Sequence, residues 1–264
     1  MPDFKAILFK VENEVAWVTL NRPEQRNAVN ADMRDELIHV LTDARLNPDI
    51  RALVLTGAGK GFCTGADLSG PRREGPSGPG VTREVMKGSS QRLIRALWDL
   101  EKPVVAAVNG VAAGLGSHLA FASDFVIAAE GSRFIEVFVR RGIAVDAGGA
   151  FLLPRLVGLQ KAKEMVYFGE DLTADDAQRC GLVSKVVPAD QLEAAAREWA
   201  EKLAQGPTFA IGMSKRLLNR SLESDIDTAL EEEALVQTIV TQSEDTKEGM
   251  MAFMERRAPQ FKGR

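Results

Sequence analysis

The sequence predicts an α/β fold with a largely parallel sheet, and two observations support it. Short apolar runs suited to buried strands occur at residues 52–55, 104–108 and 125–128. Stretches with helical spacing of apolar residues separate these runs. Strands that alternate with helices are typical of parallel sheets covered by helices.

The N-terminal elements follow from local patterns. Residues 15–20 alternate as a strand does, and Asn13-Glu14 predicts a hairpin turn after a strand at 7–11. Residues 30–46 predict a helix with Asn30 as its N-cap. A second helix is expected at 85–100, with Met86 among its core residues. From Leu192 onward the chain reads as helix, so we divide it into an α/β core, residues 1–190, and a helical C-terminal region, residues 191–264.

Composition limits the class of protein. The chain has 264 residues, a formal net charge of −4, and 45% hydrophobic residues, which is ordinary for a soluble globular protein. The charge gives no sign of a nucleic-acid partner, and no apolar run is long enough to cross a membrane. Cys63 and Cys180 lie far apart without metal spacing, so we expect reduced thiols, no metal site, and a cytoplasmic protein.

Two glycine-rich turns are the main candidates for function. Residues 56–68, the first glycine turn, and residues 109–120, the second, each follow a predicted strand. In the second turn, a helix is expected to begin at residues 119–122. Unpaired backbone N–H groups at such turns attract negative charge, either phosphate or a developing oxyanion. The turn at 109–120 has neither the dinucleotide fingerprint nor a phosphate loop. A tight packed turn without function is the alternative.

Residues 69–81 form a low-complexity stretch rich in glycine and proline. This composition predicts a mobile loop rather than a helix or strand. The loop is either a surface insertion or a flap over a pocket.

The two turns, together with the segments 20–28, 142–149, 177–183, 248–250 and 256–261, give the chain a resemblance to the crotonase superfamily of enoyl-CoA hydratases and isomerases. The resemblance covers nearly the whole chain. It implies a superhelix of strand–strand–helix turns and a homotrimer or hexamer assembled through the C-terminal region. It also implies coenzyme A as the thioester carrier of the substrate, with no permanently bound cofactor.

The resemblance assigns roles to several positions. The backbone N–H groups of Ala66 and Leu115 would form an oxyanion hole. The residues expected to contact coenzyme A are Arg26, Ala28, Ala66, Asp67 and Leu68, and Arg256 is expected to reach the phosphates bound by the next subunit. A solvated basic helix end is the alternative for Arg256.

The acid–base residues depart from the hydratase pattern. Hydratases of the family carry two glutamates, and this chain has His118 and Phe138 at those positions. Asp146 resembles the acid of the isomerase branch, especially the phenylacetate-pathway ring-epoxide isomerase. A helix N-cap is the alternative for Asp146, and a packed side chain is the alternative for His118. Glu136 is a reserve acid.

These assignments predict an enzyme of fatty-acid or aromatic-acid degradation. It would shift a double bond in an enoyl-CoA thioester through an enolate. Two alternatives remain open: a hydratase that adds water to a trans-2-enoyl-CoA, and a non-catalytic CoA-thioester binder.

Overall fold

The computed structural model describes residues 4–69 and 77–264. Within this part of the chain, the strands are β1 (Ile7–Glu12), β2 (Val15–Leu20), β3 (Ala52–Gly57), β4 (Val104–Val108), β5 (Val111–Ala113), β6 (Phe125–Ala129), β7 (Arg133–Ile135), β8 (Asp171–Thr173) and β9 (Lys185–Val187). The helices are α1 (Ala31–Leu46), α2 (Pro79–Gly88), α3 (Ser90–Trp98), α4 (Leu115–Phe121), α5 (Gly149–Phe168), α6 (Ala174–Arg179), α7 (Leu192–Ala204), α8 (Thr208–Ser221), α9 (Ile226–Val240) and α10 (Glu244–Glu255).

The strands form two sheets. The larger sheet has the order β1-β2-β3-β4-β6-β9, and all its pairs are parallel except the β1–β2 hairpin. Asn13 and Glu14 form the two-residue turn of that hairpin. Both have a positive φ, as a tight turn of this kind requires. The smaller sheet has the order β5-β7-β8. The predicted parallel core is therefore confirmed.

From β4 to β7, consecutive strands alternate between the two sheets. β4 and β6 lie in the larger sheet, whereas β5 and β7, which follow them after two or three residues, lie in the smaller one. This alternation is the superhelix of strand–strand–helix turns that the resemblance implies. It also places the chain between β4 and α4 at the seam of the two sheets.

The central strands of the larger sheet, β2 to β4, are buried on both faces. Val18, Leu55 and Ala106 face one core cluster with α1, α3 and α4, whereas Trp17, Val54 and Val105 face a second. The second cluster is completed by the alanine-rich face of α7. Strands buried on both faces explain why the sequence shows continuous apolar runs rather than alternation.

Two local predictions need correction. The expected helix at 85–100 is two helices, α2 and α3, because Ser89 between them has non-helical backbone angles, and Met86 is only half-buried. Residues 79–81 of the expected loop begin α2. Pro79 fits there because its missing N–H would be unsatisfied in the first turn of a helix. Residues 70–76 of the expected loop lie outside the described residues.

The helical character predicted from Leu192 onward is confirmed by helices α7 to α10. Among the described residues, we find no helix with the length and hydrophobicity needed to cross a membrane.

Candidate active site

The two glycine turns lie side by side. The N–H groups of Phe62 and Cys63 donate to the carbonyl of Val111 at 3.2 and 3.0 Å, and Ala113 N–H donates to the carbonyl of Cys63 at 2.9 Å. Cys63 and Ala112 thus form a parallel bridge. Ala66 and Leu115 each follow a bridged residue by three positions. The pairing therefore brings the two predicted oxyanion-hole residues to the same level of adjacent segments.

The Leu115 amide is the first amide of α4, which begins four residues before the predicted start at Leu119. Gly114 precedes it with a φ of 52°, a conformation that glycine adopts easily. Within the described chain, neither the Ala66 N–H nor the Leu115 N–H donates a hydrogen bond to the protein. Two free donors at one level suit an oxyanion better than a merely packed turn does.

The segment predicted to contact coenzyme A lies against the first glycine turn. Thr64 N–H donates to Arg26 O, Val29 N–H to Gly65 O, and Asp67 N–H to Val29 O, at 3.2, 2.8 and 2.9 Å. Residues 26–29 therefore run beside residues 64–67. This brings together the predicted positions Arg26, Ala28, Ala66, Asp67 and Leu68.

Asn27 stabilises this arrangement through hydrogen bonds of its side chain. Its side chain is fully buried, and its Nδ2 donates to the carbonyls of Ala58 and Gly61 at 2.9 and 2.8 Å. Its Oδ1 accepts from the Arg22 N–H at 2.9 Å. The positive φ of Asn27 fits the tolerance of asparagine for the left-handed region. Asn27 is therefore a structural residue of the site.

Arg22 and Asp67 form a second connection. Their side chains pair at 2.7 Å and are mostly buried. Hydrogen bonds from Ser69, with further support from Arg22, lower the pKa of Asp67 to about 2. Asp67 therefore remains ionised and orders the turn that carries Ala66, which makes it unsuitable as a proton shuttle.

Behind the second turn lies a buried polar pair. His118 Nε2 lies 3.1 Å from Glu136 Oε2, and both side chains are fully buried. His118 is on α4, and Glu136 follows β7. Sequence reasoning did not identify this pairing, because the residues are 18 positions apart and no local pattern links them. In this arrangement neither side chain is open to substrate.

Phe138 and Gly149 connect this pair to the rest of the site. The Phe138 ring stacks on His118 with a centroid distance of 5.6 Å, and its edge also packs against Gly114. The Nε2–Cε1 edge of the His118 ring packs so closely against Gly149 that a Cβ at this position would collide with it. Gly149 N–H in turn donates to Asp146 O at 2.9 Å. A continuous set of contacts therefore runs from the oxyanion turn to the Asp146 turn.

Asp146 itself is half-buried. Helix α5 begins at Gly149 with Gly148 as its N-cap and without a side-chain capping bond, so Asp146 does not cap the helix. Burial raises the pKa of the Asp146 carboxyl group, and the charge of Glu136 raises it further, while His118 lowers it. A half-buried acid with a raised pKa matches the requirement for proton transfer.

Arg256 lies outside this constellation, and Cys63 lies within the first glycine turn without a chemical role. Arg256 is exposed at the C-terminal end of α10, and its backbone is left-handed. Cys63 is fully buried, and this burial raises the pKa of its thiol to about 12. The Cys63 thiol is therefore un-ionised at neutral pH and is a packing group rather than a nucleophile.

Comparison with known proteins identifies the family of the chain. The family model described as enoyl-CoA hydratase/isomerase matches residues 10–264. The chain is 40% identical to a 1,2-epoxyphenylacetyl-CoA isomerase of Escherichia coli (strain K12), with 98% of each chain covered. It is 41% identical to a probable enoyl-CoA hydratase of Rhodobacter capsulatus, with 99% of each covered.

Solved structures give the same result. The crystal structure of an enoyl-CoA hydratase/isomerase from Cupriavidus metallidurans CH34 superposes with a TM-score of 0.93 at 36% identity, covering 100% of this chain and 98% of that one. The matches extend over the sheets, both glycine turns and the C-terminal helices alike. The chain belongs to the enoyl-CoA hydratase/isomerase family of enzymes.

Proposed function

We propose that this enzyme shifts a double bond in an enoyl-CoA thioester, with Asp146 as the residue that moves the proton. One observation carries the proposal. Asp146 is a half-buried acid with a raised pKa, whereas the nearby Glu136 is sealed beneath His118. Hydration needs a second acid–base group to hold and activate water. An isomerisation needs one group that removes a proton and returns it elsewhere.

The proposed reaction has two proton transfers. The thioester carbonyl oxygen accepts hydrogen bonds from the Ala66 and Leu115 N–H groups. The Asp146 carboxylate removes a proton from the carbon alpha or gamma to the carbonyl, and the electron pair of the broken C–H bond is delocalised onto the thioester oxygen as a dienolate. The protonated Asp146 then donates the proton at the other end of the system. Each oxyanion-hole donor typically contributes about 2.7–4 kcal/mol to transition-state stabilisation.

The raised pKa of Asp146 supports this role. A carboxyl group with an ordinary pKa near 3.9 is a weak base at neutral pH. Partial burial moves its pKa toward neutrality, which makes the carboxylate a better base and the acid still able to donate. The same shift predicts that activity falls as the pH is lowered through the pKa of Asp146.

Coenzyme A is the proposed carrier, in a cytoplasmic pathway that degrades fatty or aromatic acids. Arg26, Ala28, Asp67 and Leu68 would hold its bent chain beside the first turn. Leu115 and Phe138, both buried, present apolar surface near the oxyanion turn. This surface favours an apolar acyl group.

Hydration is the second candidate. It is supported by the names of several similar proteins, among them a short-chain-enoyl-CoA hydratase of Clostridium acetobutylicum at 39% identity. In that case Asp146 or His118 would orient the water. The buried position of His118 argues against it, because water would have to enter the His118–Glu136 contact.

The decisive experiment incubates the enzyme with a panel of enoyl-CoA thioesters and follows product mass. Isomerisation leaves the mass unchanged and alters retention time, whereas hydration adds one water. Asp146→Ala is expected to lower kcat by about 10²–10⁴-fold with little change in CoA affinity. The matched control is Asp49→Asn, an exposed turn residue. Full activity in the Asp146→Ala variant would contradict the proposed role, and binding without any turnover in the wild type would favour the non-catalytic binder.

A further inference from the structure

The buried His118–Glu136 pair has no part in the proton transfer described above, yet burying it is costly. Burying an ion pair or a charged hydrogen bond typically gives no net stability compared with apolar residues. His118 Nδ1 and Glu136 Oε1 also lack hydrogen-bond partners in the described structure. Two unsatisfied buried polar atoms in one contact suggest a function other than stability.

The location of the pair indicates what this function is. The Cε1 atom of His118 would lie 2.5 Å from a Cβ at position 149, and Val145 Cγ2 would lie 2.6 Å from it. The imidazole edge therefore packs against Gly149 next to the Val145 side chain, and these two residues flank the Asp146 turn. Nε2, on the same edge of the ring, is held by Glu136 Oε2 at 3.1 Å, and Phe138 stacks on the ring.

We infer that His118 and Glu136 are positioning residues for Asp146: Glu136 fixes the imidazole ring, and the ring supports the turn that aims the Asp146 carboxylate at the substrate. This inference rests on the proposed role of Asp146. Misplacing a reacting group by about 1 Å can cost on the order of a hundredfold in rate. The pair therefore affects kcat without contacting the substrate.

The test is a double-mutant cycle on kcat with His118→Leu, Glu136→Leu and the combined variant. Each single change is expected to lower kcat by about tenfold to a hundredfold, while KM changes less than about threefold. The combined variant is expected to be no slower than the worse single variant, because residues that act as one unit are not additive. Glu136→Gln keeps an acceptor for His118 Nε2–H and is expected to restore most of the activity lost in Glu136→Leu.

A merely structural role gives a different result. Ser132→Ala is the matched control, since Ser132 is also buried and hydrogen-bonded through its side chain, to Val108 O at 3.0 Å. It is expected to lower thermal stability and leave kcat unchanged. If the pair variants behave like Ser132→Ala, or if their effects on kcat add, the positioning role is wrong.

The outcomes also separate this inference from the proposed function. An inactive Asp146→Asn variant together with fully active pair variants would overturn the positioning role alone. An active Asp146→Asn variant together with inactive His118→Leu would overturn the role of Asp146 itself. Crystal structures of the folded pair variants provide a second measurement, in which the Asp146 carboxylate is expected to move relative to the Leu115 amide.

Discussion

The chemical role proposed for Asp146 is accompanied by a cost to the stability of the folded state. Burial disfavours the charged form of the Asp146 carboxylate and raises its pKa, while the charge of His118 acts in the opposite direction and that of Glu136 in the same direction as burial. A group whose pKa is higher in the folded than in the unfolded state binds more protons when folded. Its contribution to stability therefore falls as the pH rises through these two pKa values.

This linkage predicts that Asp146→Asn is more stable than the wild type at pH 7, although it loses activity. The asparagine removes the charge whose burial is unfavourable and keeps the shape. The stability difference is expected to shrink as the pH falls below the ordinary pKa of aspartate, about 3.9. Urea denaturation at pH 7 and at pH 3.5 measures it. A variant less stable than the wild type at pH 7 would show that the carboxylate is satisfied by contacts of its own.

Gly149 gives the second prediction for a single residue. In a helix, Gly→Ala ordinarily stabilises by about 1 kcal/mol. At position 149 the added Cβ would collide with the His118 ring, which is fully buried and cannot move aside easily. Gly149→Ala is therefore expected to lower both the melting temperature and kcat. Gly88→Ala is the control, since a Cβ there meets open space, and its melting temperature is expected to stay level or rise.

The residues of the site differ in how far the sequence could predict them. Ala66, Leu115 and Asp146 stand in segments with recognisable glycine patterns, so their neighbourhoods could be proposed before the structure was known. The contacts between His118 and Glu136 and between Arg22 and Asp67 could not. Each contact joins residues that are distant in the sequence, and it depends on how the elements that carry them pack together.

At the scale of elements, local signals placed most helices and strands well. Helix α1 begins directly after Asn30, the predicted N-cap. The Asn30 side chain accepts a hydrogen bond from Met33 N–H at 2.9 Å. Helix α4 begins four residues earlier than expected, although its first turn contains Gly116, a residue with low helix propensity. Tertiary packing of Gly116 against Cys63 outweighs that propensity.

Helix α8 is attached to the sheet by a buried ion pair. Lys215 Nζ lies 2.8 Å from Asp124 Oδ2, and both side chains are largely buried. The same Asp124 oxygen accepts from Val104 N–H at the start of β4. One carboxylate therefore holds a helix of the C-terminal region to a strand of the core.

We expect Lys215→Met to lower the free energy of unfolding by about 3 kcal/mol. Removing one partner of a buried pair typically costs about 3–5 kcal/mol, because the other charge is left without compensation. Asp124 keeps its bond to Val104, which favours the lower end of this range. Chemical denaturation measures the change. Lys163→Met, at an exposed position of α5, is the control and should be nearly neutral. Equal stability of the two variants would show that the pair contributes little.

On the scale of the whole molecule, the C-terminal helices expose an unusual amount of apolar surface. Leu235 and Ile239 on α9 are 57% and 54% exposed, and Phe253 and Met254 on α10 are 82% and 70% exposed. Apolar side chains at helical spacing on the outside of a protein commonly mark an interface. By contrast, α7 in the same region is covered by the sheet of its own chain.

This exposed face supports the prediction of a homotrimer or hexamer. Light scattering on the eluted protein is expected to give three or six times the chain mass at micromolar concentration. Ile239→Glu combined with Phe253→Glu is expected to lower the mass toward that of one chain, since a buried carboxylate at an interface is unfavourable. Leu46→Glu is the control, because Leu46 is 90% exposed on α1, away from this face. A monomeric wild type would contradict the prediction.

Arg256 is expected to link the assembly to substrate binding. It lies at the end of α10, beside this apolar face, and it is exposed. If it contacts the phosphates of coenzyme A bound by the next subunit, Arg256→Gln should raise the Kd for coenzyme A in the assembled enzyme and have no effect on it in the Ile239→Glu/Phe253→Glu background. The loss should shrink at high salt, because screening weakens an exposed charge–phosphate contact. Isothermal titration of both backgrounds measures it. An equal loss in both backgrounds would show that Arg256 serves its own chain, and no loss in either would leave it a solvated helix end.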